Sequence, residues 1–348
     1  MTFANALYDG LFADAEMAAL WDADAQTAHM LAFEAAFSRA MGQAGRFDAD
    51  LAQQAADHIA GVTPDRADLS EGSARDGLPL PALVKQLKAG AGDAARAIHA
   101  GATSQDVLDT ALALTLQQTS DLIDSRLAQI IQALGDLSAA HGTAPLMART
   151  RMQAALPVTV ADRIRTWRAP LVDHRVRLTL ARAQTTRLSL AGPTGSADFS
   201  DVAGPMADAL GLTTAPTPWH TDRSGVVAYA NLLALVTGTL GKMGQDVALM
   251  AQQGVADITL AGGGGSSAMA HKQNPILAEL LVTLARFNAG QAGVMQQAMV
   301  HEQERSGAAW ALEWMVLPLM AQAAGRALTA ATQLVGSITG MGEPHKSV

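Results

Sequence analysis

Within residues 224–253 the apolar positions fall into two interleaved series. Val226, Leu233, Leu240 and Val247 are spaced by seven, and Tyr229, Val236, Met243 and Met250 repeat the spacing with an offset of three. Alternating steps of three and four place both series on one stripe of an α-helix, the pattern of helices packed nearly parallel in a long bundle. A β-strand alternates every second residue and does not produce it. The stripe predicts a helix of about 30 residues, roughly 45 Å long. A helix of that length seldom packs on one small core. It suggests a bundle that several subunits build together, the other reading being an ordinary core helix of a monomer.

Composition points the same way. Hydrophobic residues make up 49% of the 348-residue chain but aromatics only 4%, so the apolar content is mostly Ala, Leu, Val and Met. Ala and Leu favour helix, whereas β-rich chains lean on Val, Ile, Thr and aromatics. The predicted class is therefore all-α. Two further long helices are expected over residues 104–140 and 275–298. A short one is expected over 202–210, inside a loop region rich in Gly, Pro, Thr and Ser. Residues 1–100, interrupted by Asp9-Gly10, Thr63-Pro64 and the stretches 42–45 and 77–81, read as an N-terminal helical domain. Residues 101–330 read as the central long-helix bundle, and 331–348 as a short C-terminal tail.

Several function classes drop out. The absence of cysteine excludes disulfides, thiolate metal sites and a cysteine nucleophile, and suits the reducing cytoplasm where the protein is expected. The N-terminus shows no basic region followed by an apolar run, so no signal peptide is expected. No apolar stretch is expected to span a bilayer, so no membrane partner is. The formal net charge is −8 without a standout Lys/Arg cluster, which argues against a nucleic-acid partner. No His, Asp and Glu cluster has metal-ligand spacing, and neither a Walker loop nor a Rossmann fingerprint occurs. No cofactor and no metal are expected. An acidic chain that binds an anion must concentrate its few cations at the site.

Four segments carry such chemistry. The first, GGGGSSAMAHKQNP at 262–275, pairs four glycines, which mark a mobile or strained loop, with Asn274-Pro275 before an apolar helix. Asn274 can cap that helix and Pro275 fits its first turn, leaving backbone N–H groups for an anion beside the Lys272 charge. A plain linker before a capped helix is the competing reading. The second, GATSQDVLDT at 101–110, places Thr103, Ser104, Gln105 and Asp106 at a helix start, where they can cap it or bind a carboxylate. The third, ARTRMQAALPVT at 148–159, brings together Arg149, Thr150, Arg151 and Gln153. The arginine fork matches a carboxylate, although a solvated helical face would look the same. The fourth, HEQERSGAAWALEW at 301–314, offers His301, Glu302 and Arg305 to a cleft. Trp310 and Trp314 share one helix face, as core residues would.

In this order the four segments resemble the fumarase/aspartase superfamily. The run Gly265, Ser266, Ser267, Ala268, Met269, Ala270, His271, Lys272, Gln273, Asn274, Pro275 is similar to its signature loop, usually GSSxMPxKxNP, and departs from it at Ala270. Thr103 to Val107 with Asp109-Thr110, Pro218-Trp219-His220, and the stretch from His301-Glu302 to Glu313-Trp314 are similar to the branch that cyclises carboxylated muconates. The resemblance covers residues 7–326. Gln105 and Arg151 stand where adenylosuccinate lyases usually carry Ser and His.

The resemblance implies a central helical bundle assembled in a homotetramer, with active sites shared between chains. It also implies a C-terminal domain that this sequence has in truncated form or lacks. The substrate it implies is a small polycarboxylate: 3-carboxy-cis,cis-muconate, closed to a lactone by its own carboxylate. Ser266 is then the proton-transfer group and Lys272 a catalytic cation. Thr103, Ser104, Gln105, Arg149, Thr150, Arg151, Gln153, Ser267, Met269, His271, Asn274, His301 and Arg305 contact substrate. Another lyase of the superfamily and a catalytically impaired scaffold are the alternatives.

Overall fold

The computed structural model describes residues 6–265, 268–269 and 272–342. Helices dominate. After α1 (Asp9–Phe12), aspartates at 14, 22, 48 and 65 each accept a first-turn N–H and so start α2 (Ala15–Leu20), α3 (Ala23–Gln43), α4 (Ala49–Gly61) and α5 (Arg66–Asp76). Then come α6 (Leu80–Lys88), α7 (Ser104–His141), a hairpin of β1 (Pro145–Thr150) and β2 (Gln153–Thr159), α8 (Val160–Thr185) and α9 (Ser200–Leu210). The chain continues with α10 (Ser224–Met250), β3 (Ile258–Leu260), α11 (Ile276–Gln297), α12 (Ala308–Gly336) and β4 (Ile338–Met341), the last paired antiparallel with β3. The three long helices with expected bounds, α7, α10 and α11, sit within a few residues of them, while α8 and α12 are long helices that the sequence patterns do not mark. The β1–β2 hairpin and the long-range β3–β4 pair are additions to an otherwise helical architecture.

The bundle consists of α7, α8, α10, α11 and α12. The heptad residues Val226, Tyr229, Leu233, Val236, Leu240, Met243 and Val247 are all buried in its core. Each such aliphatic side chain contributes about 1.5–3 kcal/mol relative to exposure. α10 and α11 pack closely because small residues meet: a methyl group on Gly244 would stand 2.5 Å from the Ala278 carbonyl oxygen. Contrary to the sequence expectation, α10 is long and apolar enough to cross a membrane by length and composition. Its apolar faces are instead buried against α8, α11 and α12, which accounts for its hydropathy.

A second core lies at one end. Phe33 and Phe37 of α3, Ile59 of α4 and Leu83 of α6 close over Val107 and Ala111 of α7 and Val202 of α9. The Phe199 ring meets Phe37 edge-on at 5.6 Å between centroids. This layer fixes the start of α7, where the Thr103 segment sits. Trp310 is 2% exposed and packs as expected, but Trp314, one turn on, is 36% exposed and belongs to the surface.

Candidate active site at the two ends of the bundle

α7, α10 and α12 start at the same end, tied together by one guanidinium. Arg223, fully buried just before α10, donates to Asp109 of α7 at 2.8 and 3.0 Å and to Glu313 of α12 at 2.8 and 2.6 Å. Its carbon centre lies 4.9 Å from the Trp219 ring. Burial opposes charge on Arg223, yet the two carboxylates outweigh it and hold its pKa above the usual value. One cation against two anions leaves an excess, and burial pushes Glu313 above the ordinary carboxylate range, partly offset by Arg223.

The Thr103 segment sits on this cluster. Thr103 is the N-cap of α7, and Asp106 returns its carboxylate to the Thr103 N–H at 2.9 Å. Asp106 also accepts from the N–H groups of Ala191 and Gly192 at 2.9 and 3.0 Å and pairs with His220 Nε2 at 2.8 Å. Gln105, 0% exposed, donates to Asp109 and to the His220 carbonyl, and accepts from Arg305 Nε at 3.0 Å. Ser104 is half-buried in the first turn. His301 lies with its Nε2 3.9 Å from Glu313, its side chain 1% exposed and both ring nitrogens without a hydrogen bond. Burial, and then Arg223, hold its pKa below the usual imidazole value, so it is neutral near pH 7. A cavity of about 260 Å³ opens beside the cluster, between Trp21, Gln26, Leu108, Asp109, Glu313 and Trp314.

The other two segments lie at the far end. Arg149 through Gln153 form the tip of the β1–β2 hairpin, with Arg149 opposite Ala154 and Thr150 opposite Gln153. The segment is therefore not a helical face. Arg151 and Met152 make the two-residue turn with φ of 48° and 67°. Such turns normally carry Asn-Gly, and each L-residue held there costs about 1–2 kcal/mol. Arg149 pairs with Asp257, just past α10. Beneath the hairpin lies a cleft of about 320 Å³ lined by Arg149, Arg151, Arg163, Asp246, Gln252 and Asp257.

The glycine-rich segment folds back at the start of α11, where Gly264 and Asn274 exchange backbone hydrogen bonds at 2.9 Å. Pro275, rather than Asn274, occupies the N-cap, and no side chain caps α11. Asn274 is held by its backbone in the bridge, which explains the departure from the expected cap. Lys272 and Met269 are exposed. A pocket of about 340 Å³ lies between Gly262, Gly264, Asn274, Ile276, Leu334 and Ser337. Ser266, Ser267 and His271, together with Ala270, fall outside the described residues.

α12 carries Glu313 near its start and Leu334, beside the loop, near its end. The intervening helix separates the two ends by roughly 30 Å. The structure thus gathers Thr103, Ser104, Gln105, His301 and Arg305 at one end. Arg149, Thr150, Arg151, Gln153, Met269, Lys272 and Asn274 lie at the other. Sequence reasoning missed Arg223 and the Glu34–His99 pair, whose Oε1 and Nδ1 are 2.6 Å apart. A buried arginine's partners, 90 and 114 positions away, leave no local signal.

The sequence profile of a family described as Lyase matches residues 13–289. The chain belongs to this family, the fumarase/aspartase lyases. Among its relatives, the 3-carboxy-cis,cis-muconate cycloisomerase of Pseudomonas aeruginosa is 35% identical over 97% of this chain and 76% of its own length. The nitrosuccinate lyase of Streptomyces davaonensis is 34% identical over 92% and 72%. Among solved structures, the 3-carboxy-cis,cis-muconate lactonizing enzyme of Pseudomonas putida aligns with a TM-score of 0.87 and 32% identity, covering 96% of this lyase and 77% of that chain. A fumarate lyase from Mesorhizobium sp. BNC1 aligns with a TM-score of 0.89 at 28% identity, covering 98% and 78%.

Proposed function

We propose that this lyase is a cytoplasmic 3-carboxy-cis,cis-muconate cycloisomerase. The observation that carries the reading is the 35% identity with the Pseudomonas aeruginosa cycloisomerase over 97% of this chain. In the reaction, an oxygen of one substrate carboxylate bonds to a carbon of a conjugated double bond. The π electrons shift to the neighbouring carbon and into its carboxyl group as an enolate. A proton then closes that carbon, leaving a lactone. Ser266 transfers the proton. Lys272, Arg149, Arg151 and Arg305 supply fixed positive charge for the carboxylates and the enolate, a role in which preorganised donors are worth most. Met269, Asn274 and Thr150 shape the remainder.

The identities of Arg151 and Ala154 suit this chemistry. Arginine keeps its proton and alanine has none, so neither protonates a departing group. A carboxylate, with an ordinary pKa near 4, leaves as a stable anion and needs no such proton. The two ends of the bundle support a homotetramer with shared sites, because no single chain can bring Arg305 and Lys272 to one small substrate. The exposed stripe Val172, Val176 and Leu180 on α8, 42, 62 and 64% exposed, offers an apolar face for such assembly.

The test is ultraviolet absorbance with 3-carboxy-cis,cis-muconate, since cyclisation removes the conjugated diene. Purified protein that leaves the absorbance unchanged overturns the reading. Light scattering in solution tests assembly, and a fully active monomer refutes the shared site.

A further inference from the structure

We propose that Gln105 is a positioning residue that fixes Arg305 so that its outer fork receives a substrate carboxylate; the inference rests on the function proposed above. Gln105 has no exposed surface, so it does not itself meet substrate. Its amide nitrogen donates to Asp109 at 3.1 Å and to the His220 carbonyl at 2.7 Å, and its oxygen accepts from Arg305 Nε at 3.0 Å. Only this amide orientation works. Exchanging oxygen and nitrogen would set donors against the guanidinium and an acceptor against a carboxylate. Asp109 cannot yield, because Arg223 grips both of its oxygens. A glutamate at 105 would face Asp109 charge to charge. The glutamine therefore bridges an anion and a cation that do not touch.

The consequence falls on Arg305. A guanidinium has five N–H groups. Nε–H is held by Gln105, and one Nη2–H by the Pro193 carbonyl at 3.2 Å. No described residue takes the other three. Those three are both N–H groups of Nη1 and one of Nη2, donors that suit a carboxylate. Arg305 lies exposed on the 299–307 loop, where a free arginine would sample many rotamers. The two inner bonds remove that freedom before substrate arrives.

KM and kcat are measured for the wild type, Gln105→Asn, Arg305→Met and the double variant, with the melting midpoint as a check on folding. Asparagine keeps the polar groups but withdraws the acceptor by one methylene. The expected result is a KM raised about tenfold with kcat within about threefold, as for a misplaced binding group. Added to Arg305→Met, the same substitution changes KM less than about twofold, because its route of action is gone. An equal rise in both backgrounds, or an unchanged KM in the single variant, overturns the proposal. If the wild type shows no turnover, the cycloisomerase reading has failed separately. The four proteins are then titrated with tricarballylate by calorimetry, and non-additivity in Kd decides. Wild type that does not bind tricarballylate also overturns it.

Discussion

Replacing Arg223 with leucine removes the one cation between Asp109 and Glu313, both 1% exposed. Removing one partner of a buried pair typically costs about 3–5 kcal/mol. Here two carboxylates lose the same partner, and each then folds most easily as the neutral acid. Holding a carboxyl neutral costs about 1.4 kcal/mol per pH unit above its ordinary value. At pH 7 that is roughly 4 kcal/mol for each, against a total stability on the order of 5–15 kcal/mol for a domain. Without the cation, burial disfavours the charged form of each carboxyl. Their contribution to stability is complete below the ordinary carboxylate range and is lost as pH rises through the folded values. Denaturant unfolding of wild type and Arg223→Leu at pH 5.5 and pH 8 reads the difference directly. The shortfall of the variant should be larger at pH 8 by about 3 kcal/mol or more. A shortfall equal at both pH values would mean that the carboxylates are rehydrated, and would refute the reasoning.

Gly244→Ala should destabilise by about 1–3 kcal/mol, since its methyl group collides with the Ala278 carbonyl and Leu281; a midpoint unchanged in thermal unfolding would show that α10 and α11 can separate freely. His29, His174 and His301 are each held below the ordinary imidazole value chiefly by burial. Their contribution is complete above the unfolded value near 6.5 and is lost as pH falls through the lower folded values, so acid titration should lower the melting midpoint below about pH 6.5. Ser266→Ala should fold normally and lose most turnover in the absorbance assay, and near-normal kinetics would remove Ser266 from proton transfer.

Helices α7, α10 and α11 are legible because their signals are local: the heptads of α10, the capping residues at Thr103 that open α7, and Pro275 before α11. The hairpin tip was not. Arg151 and Met152 occupy left-handed positions that normally advertise themselves as Asn-Gly, so the sequence leaves the arginines open between a carboxylate site and a solvated helical face and does not mark the turn. Asn274 reads as a cap because Asn before Pro often caps, whereas its backbone is engaged by Gly264, the third glycine of the run. Gln105 reads from sequence as a substrate contact, whereas it is fully buried. Its burial depends on Asp109, His220 and Arg305, which only the fold brings together. The two-ended distribution of the site was implicit in the expected helix lengths, since residues flanking opposite ends of one long helix cannot converge.

That geometry has a genetic corollary. In a shared-site assembly, a chain damaged at Arg305 keeps a sound glycine-rich loop, and a chain damaged at Ser266 keeps a sound Gln105 end. Co-expressed, the two would assemble some sites from intact halves alone, about a quarter of them for random mixing of equal amounts in a closed symmetric oligomer. If sites are shared in this way, two individually inactive alleles damaged at opposite ends complement each other, whereas two alleles damaged at the same end do not.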